Sequence, residues 1–273
     1  SEKKQVTTAN EASKKDSPNA ELAEGLPNPR RRWAALTLLV GIGMSVLDSS
    51  MSNVALPTIA HDLDQSAAAV VWIVNAYGLA LVMTLLPMSA IGERTGFKRL
   101  FKYGLLLFRI ASVASSVAPS LPWLLVCRVL QGLGGSAVMC LFGALVRHIY
   151  PPKLMARGIG INAMMVGVTS VLGPTIGSFI LSVSNWHWIF AVNIPIGLLA
   201  LLGVKYLPDV TPIKARFDWL SACLSMMTVG LIIVGIDYLS TYTWQSISVI
   251  VLGITMGIIL VRRSNQQTAP LVP

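Results

Sequence analysis

Apolar residues run along this chain in blocks of 18–25, separated by short polar breaks. That is the length an α-helix needs to cross a hydrocarbon layer of about 30 Å. Eight blocks stand at 33–54, 68–91, 100–118, 122–146, 159–183, 188–206, 219–238 and 244–261. The pattern predicts an all-α, polytopic membrane protein. Residues 1–32 are polar, lack the apolar centre of a signal peptide, and are expected to form a disordered cytoplasmic tail.

The breaks carry charge in alternation. Arg30 to Arg32, Arg94 to Lys102, Arg147 to Arg157, Lys205 to Arg216, and Arg262 with Arg263 fall on one side, while the intervening breaks hold no Lys or Arg. Basic loops stay cytoplasmic, so both termini are expected in the cytoplasm of a multi-pass plasma membrane protein. With 54% hydrophobic and 12% charged residues, a water-soluble domain is excluded. The net charge of +9 does not predict nucleic-acid binding, because the basic groups lie between apolar runs and not on one folded face. Cys127, Cys140 and Cys223 have no paired spacing, and His61, His148 and His187 sit in separate breaks. No nucleophile and base pair, metal cluster or phosphate loop appears, so no enzyme, metal or cofactor is expected.

Three ionisable residues fall well within the blocks, away from their ends: Asp48, Arg109 and Arg128. Each costs a few kcal/mol against lipid alone and therefore requires a partner or water. Asp48 lies fifteen residues into an outward-running helix and Arg128 six into an inward-running one, so at about 1.5 Å per residue both reach the outer half of the bilayer. A proton-exchanging carboxylate beside a guanidinium and a static ion pair are equally compatible with this placement. Arg109 has no acid at its level and either lines a cavity or has a local structural role.

Four stretches, read together, resemble the drug:proton antiporter family with fourteen spans, within the major facilitator superfamily. Leu47-Asp48-Ser49-Ser50-Met51-Ser52-Asn53-Val54-Ala55-Leu56-Pro57 resembles that family's first-helix signature. Gly92-Glu93-Arg94-Thr95-Gly96-Phe97-Lys98-Arg99 resembles the superfamily's cytoplasmic gate loop, with Glu93 where Asp is usual and Phe97 where Arg is usual. Arg128-Val129-Leu130-Gln131-Gly132 resembles the fourth-helix motif, and Gly173-Pro174-Thr175-Ile176-Gly177 the antiporter motif. Trp186 to Gly197 and Phe217 to Leu220 match two further signatures.

The resemblance implies proton coupling by Asp48 and Arg128, with Gln131, Asn53 and Arg109 as cavity or coupling support. It implies a cytoplasmic latch at Glu93, Arg94, Gly96, Lys98 and Arg99, and antiporter packing at Gly173, Pro174 and Gly177. The expected organisation is a six-helix transporter domain at 33–206, a cytoplasmic loop at 207–218, two linker helices at 219–261, and a cytoplasmic end at 262–273 before a missing C-terminal half. The implied function is export of lipophilic, often cationic drugs by alternating access, from a bacterial inner membrane. Its partners would be the lipid bilayer, protons, a small lipophilic substrate, and the second half or a second copy. The alternatives are a truncated, non-transporting membrane protein or a transporter of metabolites or lipids.

Overall fold

The computed structural model describes residues 25–266. Most of the expected tail and residues 267–273 lie outside the described residues. Regular structure is helical: α1 (Arg30–Asp62), α2 (Ala67–Val70), α3 (Trp72–Thr95), α4 (Phe97–Ser116), α5 (Leu121–Ile149), α6 (Pro152–Val183), α7 (His187–Ala191), α8 (Asn193–Leu202), α9 (Trp219–Asp237) and α10 (Thr243–Asn265), with a 3₁₀ turn at Val204–Tyr206. Arg30, Arg31 and Arg32, read from sequence as the end of the tail, already form the first turn of α1.

Among the described residues, seven segments are long and apolar enough to cross a membrane. The third block of the sequence, α4, is a 20-residue helix but is not among them. Lys98, Arg99 and Lys102 occupy its first turns and Arg109 a later one, so its apolar residues form a stripe and not a continuous sleeve. That stripe, from Phe97 through Phe101, Leu105 and Phe108, is buried against the neighbouring helices. The block expected at 188–206 is also divided. Pro195 has no N–H to offer the carbonyl of Ala191, and the chain re-starts as α8 after Val192.

α5 packs along α3 and α4, α1 along α6, and α9 and α10 form a pair that leans on α3. Two large apolar clusters result, beside a small one where Ala90 meets Ala222. One holds Leu38, Met44, Phe101, Leu105, Leu141 and Leu145 at the end rich in basic residues, and the other holds Met51, Ile59, Leu124, Trp186 and Phe190 at the far end. Between them lies a buried polar layer drawn from α1, α3, α4, α5 and α8.

Both ends are fastened by polar links. At the far end, Trp186 Nε1 donates to Asp62 Oδ2 at 2.8 Å. His187 stacks on Trp186 with ring centroids 3.7 Å apart, and a ring nitrogen lies 3.3 Å from the Ala118 carbonyl. At the basic end, Lys98 Nζ lies 2.7 Å and Arg30 Nη2 3.6 Å from the Asp209 carboxylate. Arg30 also donates to the carbonyls of Tyr206 and Leu207.

The hydrogen bond from Lys98 holds the Asp209 carboxyl below its ordinary range, a small desolvation opposing it. A lowered folded-state value means that the link stabilises above the ordinary carboxylate range and is lost as pH falls through that lower value. Asp209→Asn is therefore expected to lower thermal stability in detergent at pH 7 by at most about 1 kcal/mol, the ceiling for such exposed pairs. The difference should vanish in acid and shrink in high salt. An equal deficit at every pH would show that the charge is not responsible.

Candidate functional site

The polar layer is organised around Arg128, whose side chain is wholly buried despite its size. A guanidinium in a dry interior must have its donors met or lose more in hydration than it gains from one ion pair. Here four helices supply partners. From α1, Asp48 Oδ2 accepts a bond from Nη1, and from α5 itself Gln131 Oε1 accepts from the same nitrogen at 2.8 Å. From α3, the Ile73 carbonyl accepts from Nε at 2.8 Å. The Tyr77 ring lies 4.3 Å and the Phe190 ring 5.4 Å from Cζ, so the cation also rests on aromatic faces.

Asp48 is equally buried. Its second oxygen accepts from Asn193 Nδ2 at 2.7 Å, which brings in α8. Gln131 Nε2 donates to Ser112 Oγ at 2.9 Å, which brings in α4, and Ser112 donates onward to the Phe108 carbonyl. Tyr77 and Ser45 close the layer on the α1 and α3 side, with their hydroxyl oxygens 2.7 Å apart. Within the network around Asp48, Arg128 Nη2 and Asn193 Oδ1 are buried without a hydrogen-bond partner. The arrangement is chemically a carboxylate in hydrogen-bond contact with a guanidinium and an amide, with one spare acceptor and one spare donor beside it.

The structure gathers Asp48, Arg128 and Gln131 and leaves the other candidates elsewhere. The first two touch directly, where the sequence placed them only at one level. Asn53 is exposed, and its amide reaches no further than the Ser49 carbonyl of its own helix, at 3.5 Å. Arg109 donates from Nε to the Ile194 carbonyl at 3.2 Å and lays its stem where a Gly197 side chain would stand, joining α4 to α8.

The gate residues lie at the basic end. Gly96 turns the chain from α3 into α4 at φ +105°, a conformation that side-chain-bearing residues avoid. The Glu93 carboxylate lies 3.9 Å from Arg94 of its own helix, while Lys98 of α4 and Arg30 of α1 meet at Asp209 in the loop after the 3₁₀ turn. Arg99 is exposed. Gly173 and Gly177 face α1, where a Cβ on Gly173 would stand 2.2 Å from Ser50 Cβ. Pro174 lies between them inside α6.

Sequence reasoning missed Asn193, Ser112 and Tyr77. Asn193 carried a usable signal, since a lone amide in an apolar membrane run requires a partner. Serines and tyrosines in such runs are too common to stand out.

Residues 38–218 match the Major Facilitator Superfamily. Over 258 residues the chain is 42% identical to the uncharacterized transporter YebQ of Escherichia coli, covering 92% of this chain and 56% of that protein. It is 36% identical over 181 residues to the riboflavin transporter RibZ of Clostridioides difficile, covering 66% and 40%. It is 32% identical over 252 residues to the tetracenomycin C resistance and export protein of Streptomyces glaucescens, covering 89% and 46%. The crystal structure of the peptide transporter POT in complex with sulfate superposes with a TM-score of 0.63 at 17% identity, over 86% of this chain and 53% of that one. The chain thus spans about half the length of the relatives it matches. On sequence and on fold alike, this multi-pass membrane chain belongs to the major facilitator superfamily of transporters.

Proposed function

We propose that, in a protein of its relatives' full length, this chain forms the proton-handling half of an antiporter that exports lipophilic, often cationic compounds. The observation that carries the reading is the fully buried pair of Asp48 and Arg128 at mid-bundle. An ion pair in such a setting is a poor source of stability compared with apolar packing, which makes a working role the better account of it. Asp48 alternates between two states. Ionised, it is held by Arg128 and by Asn193 Nδ2; protonated, it releases Arg128 and donates to Asn193 Oδ1 after the amide turns over. The buried, unpartnered Asn193 oxygen supports this exchange.

Neither side chain touches solvent in this structure. Helices of this half alone enclose the pair, so proton entry requires these helices to part locally, a step that alternating access in the full-length protein would drive. Both chain ends lie in the cytoplasm of a bacterial inner membrane, in keeping with the alternating basic breaks. Similarity to the tetracenomycin C exporter supports a drug-like cargo. A second reading, with a metabolite as cargo, is supported by similarity to the riboflavin transporter and leaves the role of Asp48 unchanged.

In proteoliposomes holding the full-length protein, Asp48→Asn is expected to abolish substrate movement driven by a pH gradient. Binding of substrate in detergent should persist. Asn193→Leu should weaken coupling less completely. Undiminished gradient-driven transport by Asp48→Asn would remove Asp48 from the mechanism.

A further inference from the structure

At the basic end, α1 and α6 diverge around a groove of about 460 Å³. Its rim carries the guanidinium groups of Arg31, Arg32 and Arg157, and its floor is apolar, formed by Leu36, Leu39 and Ile161. The order follows from helix geometry. Leu36 and Leu39 lie one to two turns deeper along α1 than the arginines, and Ile161 lies one turn beyond Arg157 on α6. The groove therefore grades from cationic to apolar in the direction of the hydrocarbon layer.

Among the described residues, no carboxylate lines it. Arg30 and Lys98, at the same end, share Asp209, and Arg263 is held by Asp218. Among the described residues, Arg31, Arg32 and Arg157 form no ion pair. Arg31 is also fixed in place, since its Nε donates to the Leu26 carbonyl at 2.9 Å. Both helices begin at this end, so their N-terminal dipoles add to the positive potential.

We propose that this groove binds an anionic phospholipid, with the headgroup phosphate on Arg31, Arg32 and Arg157 and an acyl chain along Leu36, Leu39 and Ile161. The chemistry is that of basic pockets between membrane helices, where fixed guanidiniums take a phosphate and the apolar wall takes a chain. Anionic lipids concentrate in the cytoplasmic leaflet, the side on which basic loops are retained. The inference does not rest on proton coupling by Asp48.

The test titrates the detergent-purified chain with phosphatidylglycerol, phosphatidylcholine or inorganic phosphate and follows thermal stability and bound lipid by native mass spectrometry. Phosphatidylglycerol is expected to bind and stabilise. Each guanidinium removed should weaken it about fivefold, corresponding to about 1 kcal/mol per charge, and the variant Arg31→Gln/Arg32→Gln/Arg157→Gln about a hundredfold. Lys102→Gln/Arg147→Gln/Arg262→Gln, which removes three exposed charges from the same end, should bind as the unaltered chain does. Without added lipid the groove variant should melt close to the unaltered chain, because among the described residues its arginines hold no carboxylate and the one bond lost is that of Arg31 to the Leu26 carbonyl.

Four results would each overturn the proposal. They are equal binding of phosphatidylcholine, equal stabilisation by inorganic phosphate alone, equal loss in the two triple variants, and unchanged binding by the groove variant.

Discussion

Arg128→Leu is expected to lower folding stability by about 3–5 kcal/mol, the range for breaking a buried ion pair from one side. The loss comes from what the substitution leaves behind, not from the missing attraction alone. Asp48 remains in a dry layer with Asn193 as its remaining side-chain donor, and Gln131 Oε1 and the Ile73 carbonyl each lose theirs. Asp48 can escape part of the penalty by taking up a proton, so the deficit should shrink in acid. Adding Asp48→Asn should restore much of the stability, since a neutral amide needs no counter-charge. Denaturant titration of the four proteins in the cycle measures the coupling directly. Additive costs for the two single changes would mean that the pair is not energetically linked.

Gly173→Ala should destabilise the chain by about 1–3 kcal/mol, as overpacking does, while the same change at Gly167 should be neutral or slightly stabilising. Both positions lie in α6, and alanine is the better helix former by about 1 kcal/mol at either one. They differ in what the new methyl meets. At Gly167 nothing stands within 4 Å, whereas at Gly173 the methyl falls 2.2 Å from Ser50 Cβ and 3.3 Å from Ser50 Cα. The second of these is backbone, so no side-chain rotation relieves it and α1 must move away. α6 buries only Gly158, Gly173 and Gly177, so its seat depends on this approach. Thermal unfolding of the two variants decides the matter, and shifts of the same sign would refute the contact.

The sequence made the membrane helices legible because an apolar run of sufficient length has few other uses. It placed Asp48 and Arg128 at one level because helix rise converts residue count into depth. It gave no interhelical distances, and so left direct contact and cavity equally open. Asn53 shows the limit of motif reading. It lies five residues after Asp48, about 140° around the helix at 3.6 residues per turn, and so faces away from the layer. Ser52, four residues on, returns to the Asp48 face and donates to its carbonyl at 2.7 Å. Asp209 was overlooked for a different reason. Beyond a membrane block one acid looks like any other solvated group, and only the fold brings Lys98 and Arg30 to it.

The sandwich of one polar stratum between two greasy ones also sets vertical registration. If α1 slid one turn against α5, a displacement of about 5.4 Å, Asp48 would be driven among Phe101, Leu105 and Leu141 or among Ile73, Leu124 and Phe190. Either shift would strand Arg128 and Asn193 at once. Sliding of single helices past one another is therefore far costlier than tilting the bundle as one body.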